Sequence, residues 1–214
     1  AAGVRGGPTT APLAAAFRAE QEATLQRLGA KPLSEVESLA AWRRAFRSFG
    51  VDPTQCRSAA EALLRRLTKK GDIPSINLLV DLGNLVSIRY GLPVAVLDAK
   101  GIAGAITVRF AEGTEPFVEL DSAEVKRPEP GEVIFVDDAG DVAARRWCWR
   151  QSARSAARAE TTEVLVTVEG HHETADADVG SALADLTELL TTHAGAACES
   201  EVLSPALPEF PRRR

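Results

Sequence analysis

The sequence predicts an α+β fold in which N-terminal helices are followed by an antiparallel-rich multi-strand sheet or sandwich and one closing helix. Three observations predict it. Apolar residues recur at helical spacing as far as about residue 90. From Ile102 onward the pattern changes to short alternating runs bounded by Gly and Pro. Helical spacing then returns once, near the end. Helices first and strands after them is not the alternating order of a parallel sheet.

Each element has its own signal. Residues 11–28 are good helix formers with Leu13, Phe17, Leu25 and Leu28 on one side, and Pro32 breaks the run. Ser34 with Glu37 has capping-box spacing and opens a helix over 35–49, with Leu39, Trp42, Phe46 and Phe49 inward. Ser58 with Glu61 repeats that spacing, so 59–70 is a third helix burying Leu63, Leu64 and Leu67 and ending at Gly71. The next helix, capped by Ser75 or Asn77, carries Ile76, Leu79, Val80, Leu82, Val86 and Ile88 as a wide apolar face. Gly91 ends it, Pro93 forbids its continuation, and 93–98 reads as a buried strand. Strands are expected over 106–110, 117–120, 133–136, 142–150 and 161–169, with Asp137 to Gly140 as a hairpin turn. Residues 179–193 form the closing helix, and 199–214, with Pro205, Pro208 and Pro211, an extended tail. The expected organisation is an N-terminal segment (1–34) whose helix packs on one domain (35–195), followed by a Pro-rich tail (196–214).

The chain has 214 residues, 45% of them apolar and 26% charged, as in an ordinary soluble domain. No window approaches the run of about 18 apolar residues that a membrane helix needs. No leader sequence is recognisable, and the absence of Met suggests a trimmed start. Cys56, Cys148 and Cys198 are few and widely spaced, which points to a reducing cytoplasm and away from a disulfide framework or a zinc site. The net charge of −5 hides an asymmetry. Arg43, Arg44, Arg47, Arg57, Arg65, Arg66, Lys69 and Lys70 face only Asp52 and Glu61 within residues 42–71. Arg145, Arg146, Arg150, Arg154 and Arg158 have no acid among them, whereas residues 159–201 are acidic throughout. Such basic segments bind a polyanion if they share a face, and are otherwise solvated helix faces. Lys69 and Lys70 also suit the negative end of a helix dipole with no further role.

Residues 58–102 carry a recognisable pattern: a Ser-opened helix ending in basic residues and Gly, then Ile76-Asn77, Val80-Asp81, Asn84, Gly91, Pro93 and Asp98. This resembles the tRNA-binding and editing domain, built from the third and fourth modules, of the bacterial phenylalanyl-tRNA synthetase β subunit. A weaker collinear likeness runs from about residue 35 to 190, so the chain looks like a freestanding relative of that domain. The resemblance implies the family's fold, tRNA as partner through its aminoacylated 3′ end, and hydrolysis of a mischarged aminoacyl ester in trans. It implies no cofactor, no metal, and neither DNA nor membrane as partner. Carried over by position, the family's helix asparagine falls on Asn84 and its pocket glutamate, to within one residue, on Glu169. Pro93 and Ala95 occupy the pocket's Gly-x-Pro region, where Ala95 replaces the family's histidine. The family's glycine-rich turn is replaced by Arg145-Arg146-Trp147-Cys148-Trp149-Arg150, so the implied pocket is reshaped.

The residues read alone leave alternatives. Asn84 serves equally as a pocket amide or as a partnered amide in the core. Asp81 reads as structural, anchoring loop amides. Trp147 and Trp149 are expected on one face of a strand, with Arg146 and Arg150 on the other. They form either ordinary packing or an aromatic wall for an aminoacyl group or adenine, with arginines for phosphate. Arg65, Arg66, Lys69, Lys70 and Arg146 are the candidate RNA contacts. Glu169 is either a ligand for substrate ammonium or hydroxyl, or a surface carboxylate. His171 and His172 read as a solvated loop. No Ser-His-Asp arrangement is visible, and ester hydrolysis needs none, because a positioned water and oxyanion donors suffice. The competing class is a non-catalytic module that binds RNA or an amino-acid-like ligand; a weaker third is protein interaction through the acidic half.

Overall fold

The computed structural model of the chain describes residues 1–120, 122 and 124–210. The expected order of helices, strands and closing helix is observed. The helices are α1 (Ala11–Leu28), α2 (Glu37–Ser48), α3 (Ala59–Lys70), α4 (Leu78–Tyr90) and α5 (Ala175–Ala194). Between α4 and α5 run β1 (Val94–Asp98), β2 (Ile106–Phe110), β3 (Phe117–Val118), β4 (Val125–Lys126), β5 (Val133–Asp137), β6 (Val142–Arg145), β7 (Arg150–Gln151) and β8 (Val164–Val168). All pairings are antiparallel: β1 with β8, a four-stranded sheet in the order β2-β5-β6-β7, and the β3–β4 hairpin.

Caps explain the helix limits. Ser58 Oγ accepts the Glu61 N–H at 3.3 Å, and Gly71 leaves α3 at φ 81°. Asn77 Oδ1 accepts the Val80 N–H at 3.0 Å, and Gly91, at φ 65°, turns the chain from α4 into β1. Two local expectations are corrected. Ser34 does not cap α2: it lies in a short 3-10 segment (Leu33–Glu35) after Pro32, and Val36 precedes α2 with no side-chain hydrogen bond. Ile76 is not part of the buried face of α4. It lies ahead of the helix, 66% exposed, because the fully buried Asp81 draws the backbone inward. Asp81 accepts the Ile76 N–H at 2.9 Å and the hydroxyls of Thr9 (2.5 Å) and Ser75. Asp81 is thus the structural anchor expected of it.

The pair β1–β8 separates two cores. Val94, Val96, Val164, Val166 and Val168 face the helical core, where α4 meets α1 and α5 through Leu13, Phe17, Leu79, Leu82, Leu186 and Leu190. Leu97 and Leu165 face the other way, onto Phe135, Ala143 and Ala144 of the four-stranded sheet. Gly83 lets α4 lie close on β1: a Cβ there would stand 2.8 Å from Val96 Cγ2. By strand alternation Ala95, Thr167 and Glu169 belong to the Leu97 face, and Ala95 pairs directly with Thr167.

Three further expectations change. The strand expected over 142–150 is interrupted by a turn at 146–149, and only Arg150–Gln151 resumes pairing as β7. The closing helix begins at Ala175, ahead of 179. Residues 199–210 carry only a small turn, in which Ser204 and Leu207 exchange backbone hydrogen bonds; residues 211–214 of the expected tail lie outside the described residues.

Candidate functional site

The 146–149 turn closes the β6–β7 hairpin between the paired Arg145 and Arg150. Two of its residues are left-handed, Arg146 at φ 46° and Trp147 at φ 62°. For non-glycine residues this costs about 1–2 kcal/mol each, so the surroundings must hold them there. They do. Arg146 donates from Nε to Glu132 Oε1 at 2.9 Å and from Nη1 to the sulfur of Cys56. The Trp147 backbone N–H meets the Val133 carbonyl at 2.6 Å, and its indole Nε1–H donates to Glu169 Oε1 at 2.9 Å. The same segment stood out in the sequence as large residues in place of a glycine-rich turn. Its backbone keeps a glycine-like path while presenting an indole and a guanidinium.

Glu169 follows β8, its N–H on the Pro93 carbonyl at 3.4 Å. Trp147 is its single hydrogen-bond partner among the described side chains. Burial pushes its carboxyl up to about 7, and the Trp147 N–H offsets only part of that. Burial, together with the charge of Glu169, pushes the Cys148 thiol well up. His171 packs edge-on between Trp42 at 4.4 Å and Trp147 at 4.8 Å, and the two indoles lie 5.3 Å apart. Burial, reinforced by neighbouring His172, lowers the His171 pKa and favours the neutral ring. Phe46 and Phe49 complete the aromatic cluster. Trp42, 1% exposed, leaves its Nε1–H without a hydrogen-bond partner among the described residues.

The expectation of a solvated histidine loop is therefore corrected for His172, whereas His171 stays exposed while its ring rests against the two indoles. His171 is a wall of this box, and His172 is buried with Nε2 2.7 Å from Asp178. The expected strand face shared by Trp147 and Trp149 is corrected too. The turn sends Trp147 to Glu169 and Trp149 among arginines, with Arg146 at 4.8 Å, Arg150 at 5.1 Å and Arg145 at 5.9 Å from its ring. Arg145 is buried and bidentate on Glu132 (3.0 and 2.6 Å). Burial works to raise the Glu132 pKa, but Arg145 and Arg146 outweigh it and keep the carboxylate ionised. Arg146 is thus tied into an ion-pair network, and Arg150 is the exposed cation of the group.

Other candidates lie apart. Pro93 is buried and Ala95 half-buried, on the same side of β1 as Leu97. Asn84 is half-buried on α4, and its amide has no hydrogen-bond partner among the described residues. Helix α4, which carries Asn84, covers the Val94 and Val96 face, and among the described residues no hydrogen bond joins Asn84 to Glu169 or Trp147. Arg65, Arg66, Lys69 and Lys70 are on α3, where Arg66 pairs with Asp72 at 3.7 Å. Trp42 and His171 were missed as site residues. They are 129 positions apart, and nothing in the sequence pattern joins them.

The chain belongs to the B3/4 domain family, whose model matches residues 41–195. That bears out the resemblance read from residues 58–102. Its relatives include the phenylalanine–tRNA ligase beta subunit of Cutibacterium acnes, 33% identical over 107 residues, which is 50% of this chain and 12% of that subunit. The corresponding subunit of Streptomyces avermitilis is 38% identical over 93 residues, 44% of this chain and 11% of the subunit. The matched stretch is thus a small part of each relative. An N-terminal fragment of the phenylalanyl-tRNA synthetase beta subunit from Pyrococcus horikoshii superposes with a TM-score of 0.45 at 16% identity, covering 54% of this chain and 39% of that fragment. Among the described residues no helix is long and apolar enough to cross a membrane.

Proposed function

We propose that this chain binds tRNA and hydrolyses the ester of a mischarged aminoacyl-tRNA in trans. The observation that carries the reading is Glu169, a carboxyl held near neutrality in an aromatic box, with one N–H donor fixing one of its oxygens. A general base is most effective when its pKa lies near the working pH. Glu169 takes a proton from water as the water oxygen adds to the ester carbonyl carbon. The tetrahedral intermediate then expels the ribose oxygen, which takes the proton back from Glu169, and the released carboxylic acid gives its own proton to solvent and departs as the carboxylate. Trp147 holds the carboxyl in place. Ala95 leaves room where the resemblance places a histidine, so tyrosine need not be the amino acid removed. Phenylalanine tRNA is the first tRNA to test, because the relatives are phenylalanine–tRNA ligase subunits.

A panel of correctly and wrongly charged tRNAs, led by tyrosine on phenylalanine tRNA, tests the reading. One mischarged species should be hydrolysed selectively, with hydrolysis lost in Glu169→Gln. Close packing of Trp42, Trp147 and His171, and the separation of Asn84 from Glu169, favour a second reading, a non-catalytic module that binds RNA or an amino-acid-like ligand. Bound tRNA with no species hydrolysed would select it.

A further inference from the structure

Helix α3 links the aromatic box to a basic groove. At its N-terminal end the Ala59 N–H donates to the Cys148 carbonyl at 2.9 Å, joining the helix to the 146–149 turn. Toward its C-terminal end Arg65, Thr68 and Lys69, spaced to share one helix face, line a groove of about 390 Å³. The opposite wall is the loop of residues 29–34, which contributes Lys31. On the floor, the buried Glu61 is already neutralised: Arg43 binds both its oxygens at 2.9 and 2.6 Å, and Arg57 Nε stands 3.8 Å away. Lys31, Arg65 and Lys69 have no ion-pair partner among the described residues. In a chain of net charge −5, this groove keeps a surplus of positive charge with nothing folded against it.

Lys69 stands ten residues along α3 from Ala59, about 15 Å at 1.5 Å per residue. That is the rise of about four stacked nucleotides at 3.4 Å each. A strand with phosphates in the groove therefore reaches the turn within a few nucleotides. There Trp149 is half-buried among Arg146, Arg145 and the exposed Arg150, an indole and guanidinium group of the kind on which a base stacks.

We propose that α3 is the guide for the single-stranded 3′ end of the tRNA. Lys31, Arg65 and Lys69 hold backbone phosphates, the strand runs toward the N-terminal end of α3, and the terminal nucleoside stacks at Trp149 beside the Glu169 box. The direction of the strand rests on the deacylation reading; the phosphate seat does not. Arg66 and Lys70 do not line the groove.

The experiment measures affinity for uncharged tRNA and for a six-nucleotide single-stranded RNA between 50 and 200 mM salt. It compares the full chain, a Lys31→Ala/Arg65→Ala/Lys69→Ala variant, and a charge-matched Arg18→Ala/Lys100→Ala/Arg127→Ala variant whose cations are exposed and off α3. Three lost single-strand phosphate contacts flatten the slope of log affinity against log salt by about 2, so the fourfold salt step should cost the groove variant about 16-fold less affinity than it costs the parent. The charge-matched variant should keep the parent's slope. Equal flattening in both variants, or in neither, overturns the guide, as does failure of the parent to bind either RNA. RNA binding through the groove without hydrolysis of any aminoacyl-tRNA overturns the deacylation reading and leaves the phosphate seat standing. Deacylation with the same KM in parent and groove variant does the reverse.

Discussion

Replacing Glu169 by Gln should make the fold more stable above neutral pH while abolishing hydrolysis. In the folded chain burial raises the carboxyl from 4.5 to about 7, so the native state binds this proton more tightly than the unfolded state does. Below pH 4.5 both states are protonated and there is no cost. As pH rises from 4.5 to 7 the unfolded state ionises while the native state does not, and stability falls. Above 7 both are ionised and the penalty is complete, about 3 kcal/mol at 1.36 kcal/mol per pKa unit. Gln keeps an oxygen for the Trp147 N–H and does not titrate. Its extra N–H group adds a constant offset, so the informative quantity is how the stability difference between Gln and Glu proteins changes with pH. That difference should move in favour of Gln by about 3 kcal/mol between pH 4 and pH 8.5, or about 6–12 °C in Tm for a chain of this size. Urea unfolding followed by far-UV circular dichroism at several pH values measures it directly. A difference that stays flat from pH 4 to 8.5 would refute the desolvated carboxyl, and the general-base argument with it.

Removing the indole N–H with Trp147→Phe should raise the Glu169 pKa above about 7, because that hydrogen bond is what opposes burial. The acid limb of the pH–rate profile for hydrolysis should move to higher pH; an unmoved limb would mean that another group titrates. Asp81→Ala should cost about 2–4 kcal/mol in chemical denaturation, since three donors lose their buried acceptor at once. A loss under 1 kcal/mol would show that water replaces the carboxylate. Gly83→Ala should destabilise by about 1–3 kcal/mol, since α4 must retreat from Val96 or the valine must change rotamer. Unchanged stability in the same assay would show that α4 does not rest on β1 as closely as described.

Helix limits and strand positions were largely legible because they depend on neighbours in sequence. Ser58 three residues before Glu61, Gly91 before Pro93, and alternation over 106–110 act within a few residues, and the structure follows them closely. The expectations that failed did so where a competing local preference or a contact distant in sequence prevailed. Ser34 has capping-box spacing, yet the chain after Pro32 forms a 3-10 segment there. Ile76 fits the apolar stripe, but the demand of the buried Asp81 for donors pulls its backbone out of the helix. Over 142–150 alternation predicts one strand, whereas the turn depends on Glu132, Cys56, Val133 and Glu169 holding two left-handed residues, and none of those lies nearby in sequence.

The sequence by itself determined the α+β class and the family, because periodicity and motif spacing are properties of the chain read in order. Only the tertiary structure decided that Trp147 meets Glu169, that Trp42 and His171 wall the box, and that α4, the helix carrying Asn84, packs on the other face of β1. The physical reason is desolvation. A carboxylate titrates near 7 only when groups distant in sequence exclude water from it, and where those groups fall is set by packing.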